Sequence, residues 1–258
     1  MSTALASLHM AVPTGTFFLI NITNKVLVFF HDHVGLGWGP SIIALTFLIR
    51  ALILPLSIRQ IRGMRAMSAL QPQLKEIQER YKDDKERLQR EMMRVYQENG
   101  VNPFASCLPL LFQFPFFIAI LYTLRSTSFK MDIGAVNGAP GAGWWFIKAL
   151  AQPAHGGELI ALVILYVGTQ LIAGLIMTGS QASSQQRMIS LGLPLLFAPV
   201  IIHFPAGVVL YWITSNFWTM GQQAAVKVLF PVEPAPTPEE VQAAKPPPPP
   251  PRKKKRRR

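Results

Sequence analysis

Arg50 is the residue whose type and position most constrain the chemistry of this chain. It lies ten residues after Pro40 and nine before Arg59, inside the apolar stretch 36–58. On a helix rising 1.5 Å per residue, that is about 14 Å from either end, too far for a guanidinium to reach water unaided. An arginine at the centre of a membrane helix costs about 2.5–3.5 kcal/mol on insertion scales. The 13 Asp and Glu all fall in the connections between apolar stretches, at the ends of those stretches or in the tail, so no carboxylate shares their interior with Arg50. A water-filled cavity would solvate it. Backbone carbonyls with local membrane thinning are the other solution.

Polar partners for such a cavity stand in every apolar stretch. Thr46 precedes Arg50 by one helical turn and shares its face. Gln113 lies mid-way through 104–124, Thr169 and Gln170 through 158–178, and Thr214, Ser215 and Asn216 through 206–228. Tyr211 and Trp212 add amphipathic rings. Singly, each such group is ordinary glue between helices. Together with an unpaired arginine they outline a polar groove.

Other chemistries lack their residues. There is no Gly-Lys pair, hence no Walker loop, and no H-E-x-x-H. No pair of aspartates lies in an apolar stretch, which excludes an aspartyl intramembrane protease. Ser180 and His203 fall in a loop and a turn and make no dyad. His31-Asp32-His33 reads as solvated rather than as a metal set. A single cysteine, Cys107, leaves no disulfide framework and no cysteine-based zinc cluster. No enzyme activity, metal or cofactor is expected.

The elements that must position these groups follow from composition. The chain has 258 residues, 50% hydrophobic and 15% charged, with a net charge of +12 and a mean hydropathy of +0.29. Soluble domains carry about 25% charged residues, so this balance excludes a disordered chain and argues against a soluble enzyme. Of 25 Lys and Arg, 10 lie in 59–104 and 8 in 231–258. The rest of the chain is left in apolar blocks of membrane-span length.

Residues 1–35 form an N-terminal segment without a signal-peptide pattern. Within it, 13–31 is apolar but carries Asn21, Asn24 and Lys25 on one face, which predicts an interfacial helix; a crossing is the competing reading. Five spans are expected, at 36–58, 104–124, 158–178, 188–203 and 206–228, with a tight turn at 203–207. The charged stretch 59–103 carries Met67, Leu70, Leu74, Ile77 and Tyr81 at helical spacing, then Leu88, Met92 and Val95, and predicts a two-helix hairpin in water. Met64, Met67, Met92 and Met93 fall here; the stripe is either the hairpin's own seam or a soft surface for apolar partners. Residues 125–157 are a loop rich in Gly, Pro and Ala, with Trp144 and Trp145 suited to the membrane interface.

The tail, 229–258, is a disordered Pro-rich spacer ending in Arg252, Lys253, Lys254, Lys255, Arg256, Arg257 and Arg258. Such a cluster suits anionic lipid at about 1 kcal/mol per charge. It suits ribosomal RNA equally, through counterion release, and a simple topology anchor is the third reading. With five spans, the hairpin and tail share the basic, cytoplasmic side and the N-terminus lies outside. The expected class is an all-α integral membrane protein: five helices around a cytoplasm-open hydrophilic groove, plus the cytoplasmic hairpin.

The sequence resembles the YidC/Oxa/Alb family of membrane-protein insertases. The resemblance rests on Ser41-Ile42-Ile43, Thr46-Phe47-Leu48-Ile49-Arg50 and Pro55-Leu56, then Met64-Arg65-Ala66-Met67 and Leu70-Gln71-Pro72. Tyr81-Lys82-Asp83-Asp84-Lys85, Asn102-Pro103, Leu108-Pro109-Leu110-Leu111-Phe112-Gln113 with Pro115, and Phe204-Pro205-Ala206-Gly207 through Tyr211-Trp212 to Ser215-Asn216 follow in order. It covers about 15–228. The resemblance is to the short bacterial form, without the large extracytoplasmic domain and first span of Gram-negative members. It implies a bacterial plasma-membrane protein that passes hydrophobic segments and short polar flanks of nascent membrane proteins into lipid. It places the groove's positive charge on Arg50 and groove contacts on Thr46 and Trp212. Gln113, Gln170 and Asn216 join them from span position, and Tyr211 as an amphipathic ring. Implied partners are nascent membrane proteins, the ribosome, the Sec translocon and anionic lipids. A small-molecule transporter or channel is the alternative that also explains a polar cavity.

Overall fold

The computed structural model describes residues 14–102, 108–135, 137, 139, 141–178 and 184–229. Those residues form ten helices and no strand, with isolated bridges at Trp144–Ile147 and Pro153–Pro205.

Helix α1 (Thr14–Asp32) lies across one end of the bundle. Near its start, the Thr123 hydroxyl donates to the Ile20 carbonyl at 3.3 Å. At its end, the His31 ring stacks on Trp38 with centroids 4.0 Å apart. Leu27 and Thr23 are buried between these contacts, while Asn21 and Lys25 are exposed.

The stretch 36–58, read from sequence as one straight span, is broken. Helix α2 (Trp38–Leu52) stops at Ile53, and α3 (Leu54–Ala69) leaves at 60°. Pro55 stands in the first turn of α3. Its ring blocks the hydrogen bond that would continue α2, while its fixed φ suits a helix start. Helix α3 thus runs through the expected boundary at 58. Leu70 ends it, and Pro72 opens α4 (Gln71–Arg80). Helix α5 (Lys85–Glu98) begins at Asp84, whose carboxylate caps the Arg87 N–H at 3.0 Å. The two helices pack on each other with Leu74 buried. Their outer faces carry exposed ion pairs such as Arg80–Glu76 and Arg94–Glu98, each worth little in stability.

The rest of the bundle is α6 (Leu108–Arg125), the short α7 (Thr127–Asp132), α8 (Gly156–Thr178), α9 (Ser184–Ile201) and α10 (Ala206–Leu229). Helix α10 packs between α8 and α2, α9 on α8, and α1 on α6 and α2. Residues 141–155 close the end where α1 lies. The Ala206 N–H donates to the Gln152 carbonyl at 2.8 Å and the Gly207 N–H to the Leu150 carbonyl at 2.9 Å, so this segment holds the start of α10. Gly207 is needed there: a Cβ would stand 2.9 Å from Leu124 and 3.0 Å from Ile42.

By length and hydropathy, α8 over Gly156–Ile176 is able to cross a membrane alone, and the bent α2–α3 pair passes the same test taken together. Phe112–Arg125 and Ser190–Ile201 are shorter apolar helices. Ile160, Ile164, Ile172 and Leu175 on α8 and Leu195 and Leu196 on α9 all point outward. So large an apolar exterior marks a surface made for lipid or protein rather than water.

Candidate functional site

Arg50 stands in the last turn of α2, three residues before the break. Its side chain is half-buried, and its Nε is buried with no hydrogen-bond partner. Among the described residues no carboxylate pairs with it; the ion pairs found there are all in the hairpin. The buried Tyr211 of α10 faces it closely enough to interact electrostatically. The Tyr211 hydroxyl in turn accepts a hydrogen bond from the Gln113 side-chain amide of α6. Three helices thus converge on one cation.

The α2–α3 bend opens a hollow beside this group. Arg50, Ile53, Leu56, Ser57, Gln60 and Phe112 line it, and its volume is about 20 Å³, room for about one water. Gln60 is buried, Phe112 is exposed, and the Ser57 hydroxyl donates to the Ile53 carbonyl at 3.0 Å. Sequence reasoning missed Ser57 and Gln60. Helical spacing could not have found them, because the break at Ile53 puts Ser57 and Gln60 on a different helix from Arg50.

The other expected groove residues are placed apart from this hollow. Thr46 is fully buried, and its hydroxyl donates to the Ile42 carbonyl at 2.7 Å. Trp212 stacks on Phe117 with centroids 4.7 Å apart, beside Phe204 and Tyr166. Asn216 is buried and donates to the Thr169 hydroxyl of α8 at 3.1 Å, a bond between helices. Gln170 is half-buried on α8. In the hairpin region, Met67 and Met92 are half-buried and Met93 is exposed; burial pushes the Tyr96 phenol above its usual range. The Met64 side chain and the basic residues 252–258 lie outside the described residues. His31 and His33 take separate ring partners, Trp38 and Phe29.

The bent, apolar, multi-helix chain is similar to known proteins. The model of the 60Kd inner membrane protein family matches residues 29–232. The chain belongs to this family. A relative from Streptomyces avermitilis, named membrane protein insertase YidC, is 37% identical over 244 residues, covering 83% of this chain and 56% of the relative. Another of the same name, from Clostridium tetani, is 34% identical over 196 residues, covering 75% and 83%. A crystal structure described as an active YidC insertase with its first transmembrane domain resolved superposes with a TM-score of 0.63 at 21% identity. It covers 90% of this chain and 51% of that one, and shows a shared fold. The chain spans 56% of the Streptomyces relative and 33% of one from Dechloromonas aromatica. The family's inner-membrane character accounts for the outward apolar faces of α8 and α9.

Proposed function

We propose that this chain is a non-enzymatic membrane-protein insertase. It receives hydrophobic segments of nascent membrane proteins, with their short polar flanks, and releases them into the bilayer. The observation that carries the reading is Arg50: a buried, unpaired Nε beside Tyr211, at the edge of a hollow that opens between α2, α3 and α6. A charge left without a counter-ion in an apolar bundle serves a transient one. An acidic or dipolar flank resting beside Arg50 supplies it, and leaves when its hydrophobic neighbour moves into lipid.

No bond is made or broken. Insertion draws on burial of apolar surface at about 25 cal/mol per Å². A polar hollow partway through the bilayer shortens the hydrocarbon path for the flank. The membrane potential assists each negative charge by about 2.3 kcal/mol per 100 mV.

In this reading, α2 with the start of α3, α6, α8, α9 and α10 are five spans in the bacterial plasma membrane. The α4–α5 hairpin and the basic tail face the cytoplasm and the N-terminus lies outside. The uneven Lys/Arg distribution supports that orientation. The placement of α1 across the bundle end, touching Thr123 and Trp38, supports an interfacial helix over a crossing. Ribosome, Sec translocon and anionic lipid are the partners the hairpin and tail suit.

The test is protease-protected insertion of a short two-span protein into liposomes containing this purified chain alone. Protection above empty liposomes is expected. No protection, with solute flux instead, would establish a transporter.

A further inference from the structure

The segment 141–155 carries at its tip an indole, that of Trp145, which no described residue receives beyond its neighbouring rings, whereas Phe146 is half-buried and packs against the core. Trp144 and Ile147 exchange backbone hydrogen bonds at 2.8 and 2.9 Å, which leaves Trp145 and Phe146 at the apex of a tight turn. The pair Trp144-Trp145, alike in sequence, is split. Trp144 packs onto Gly39, where a Cβ would stand 2.2 Å from the indole. Trp145 points away and is 81% exposed, its main contacts being the neighbouring rings of Trp144 and Phe146. Its backbone sits at φ 55°, a left-handed conformation that is rare for a bulky residue. A strained backbone that turns a large apolar ring out of the protein points to an external surface that receives it.

The level of the tip identifies that surface. Gly39 is the second residue of α2, and Pro153 bridges to Pro205 just before α10 and just ahead of α8. The apolar window of α8 runs 21 residues from Gly156, about 31 Å of helix, which matches a hydrocarbon core of about 30 Å. The tip therefore stands at the level where the apolar core ends. Exposed Lys148 follows three residues after Trp145 in the chain and puts a cation in the same turn region. An exposed indole and an ammonium near one level are the groups that fit the boundary of phospholipid acyl chains and phosphates.

We infer that the Trp145 tip docks into the outer leaflet, with the indole at the boundary of acyl chains and headgroups and Lys148 at the lipid phosphates. The docking ties the closed end of the bundle to the bilayer surface at a second place besides α1. It rests on the transmembrane placement of the bundle and is independent of insertase activity.

The experiment compares full-length wild type with Trp145→Phe in proteoliposomes of phosphatidylcholine and phosphatidylglycerol. Acyl chains brominated near the headgroup or deep in the core quench the fluorescence. The Trp145 contribution, taken by difference, should be blue-shifted and lost at least about twofold more with shallow than with deep bromine, the depth at which amphipathic indoles sit. The four remaining tryptophans report separately whether the bundle entered the bilayer. If they are quenched while the Trp145 difference is red-shifted and unaffected by either lipid, the tip is in water and the proposal is wrong. If that difference is blue-shifted yet unquenched, the tip docks on protein, which equally overturns it. Lys148→Gln should weaken shallow quenching with anionic lipid and leave it unchanged in phosphatidylcholine alone.

Discussion

The side-chain amide of Gln113 donates to the hydroxyl of Tyr211 across 98 residues of sequence, tying α6 to α10 beside Arg50. Hydrogen bonds between membrane helices average about 0.6 kcal/mol in double-mutant cycles. A cycle of Gln113→Leu, Tyr211→Phe and the double variant should give a coupling of that order, read from thermal unfolding in detergent. Each single change should cost about 0.5–1.5 kcal/mol, the net worth of one such bond. Strict additivity would mean that the two residues merely adjoin.

Replacing Arg50 by Ala should reduce insertion of substrates with acidic outer flanks far more than of those with neutral flanks. A selective fall of about tenfold corresponds to about 1.4 kcal/mol of lost attraction. Arg50→Lys retains the charge and should retain most of the selectivity. The readout is protected product in proteoliposomes for a matched pair of substrates. Equal loss on both would assign Arg50 a structural role.

What the sequence made legible were the features with local causes. The isolated charge of Arg50, the stripe through Leu74 and the helical composition all follow from spacing. The bend at Ile53 also had a local cause in Pro55, yet hydropathy averaged across it. The burial of Thr46 was not legible, because a threonine hydroxyl returned to its own helix reads the same as one facing a groove. Least legible was 141–155. Its order comes from bonds to distant backbone, such as Gly207 N–H to the Leu150 carbonyl, and no periodicity announces those.

Gly39→Ala tests that closing segment. A methyl group would stand 2.2–2.6 Å from the Trp144 side chain, so the indole or the helix must shift. Overpacking of this kind costs about 1–3 kcal/mol. Gly192→Ala in α9 is the matched control, since nothing stands within 4 Å of its Cβ. It should be neutral, or stabilising by up to about 1 kcal/mol. Both are read as shifts in the thermal midpoint. Equal midpoints for the two variants would show that the Trp144–Gly39 contact yields without cost.

Orientation is checked at the loop between α4 and α5. With Cys107 replaced by Ser, a cysteine at Asp83 should react with a membrane-impermeant maleimide in inverted membrane vesicles and stay unreactive in intact cells. Asp83 is exposed, so access depends on sidedness alone. Labelling of intact cells would invert the topology and place the hairpin outside.

Asp84 bears on how the hairpin persists in water. Helix α5 has no fully buried residue, and isolated helices of about 12–15 residues are marginal. Its start therefore depends on local terms, and the Asp84 carboxylate satisfies the Arg87 N–H at 3.0 Å. Asp84→Ala should cost about 1 kcal/mol of local stability, whereas Asp84→Asn, also a good cap, should cost little. Hydrogen exchange at the amides of the first turn, Arg87 above all, should speed up about fivefold in the alanine variant, the ratio that 1 kcal/mol implies. The asparagine variant should match wild type. If alanine and wild type exchange alike, packing against α4 through Leu74 holds α5 in place, and the cap is incidental.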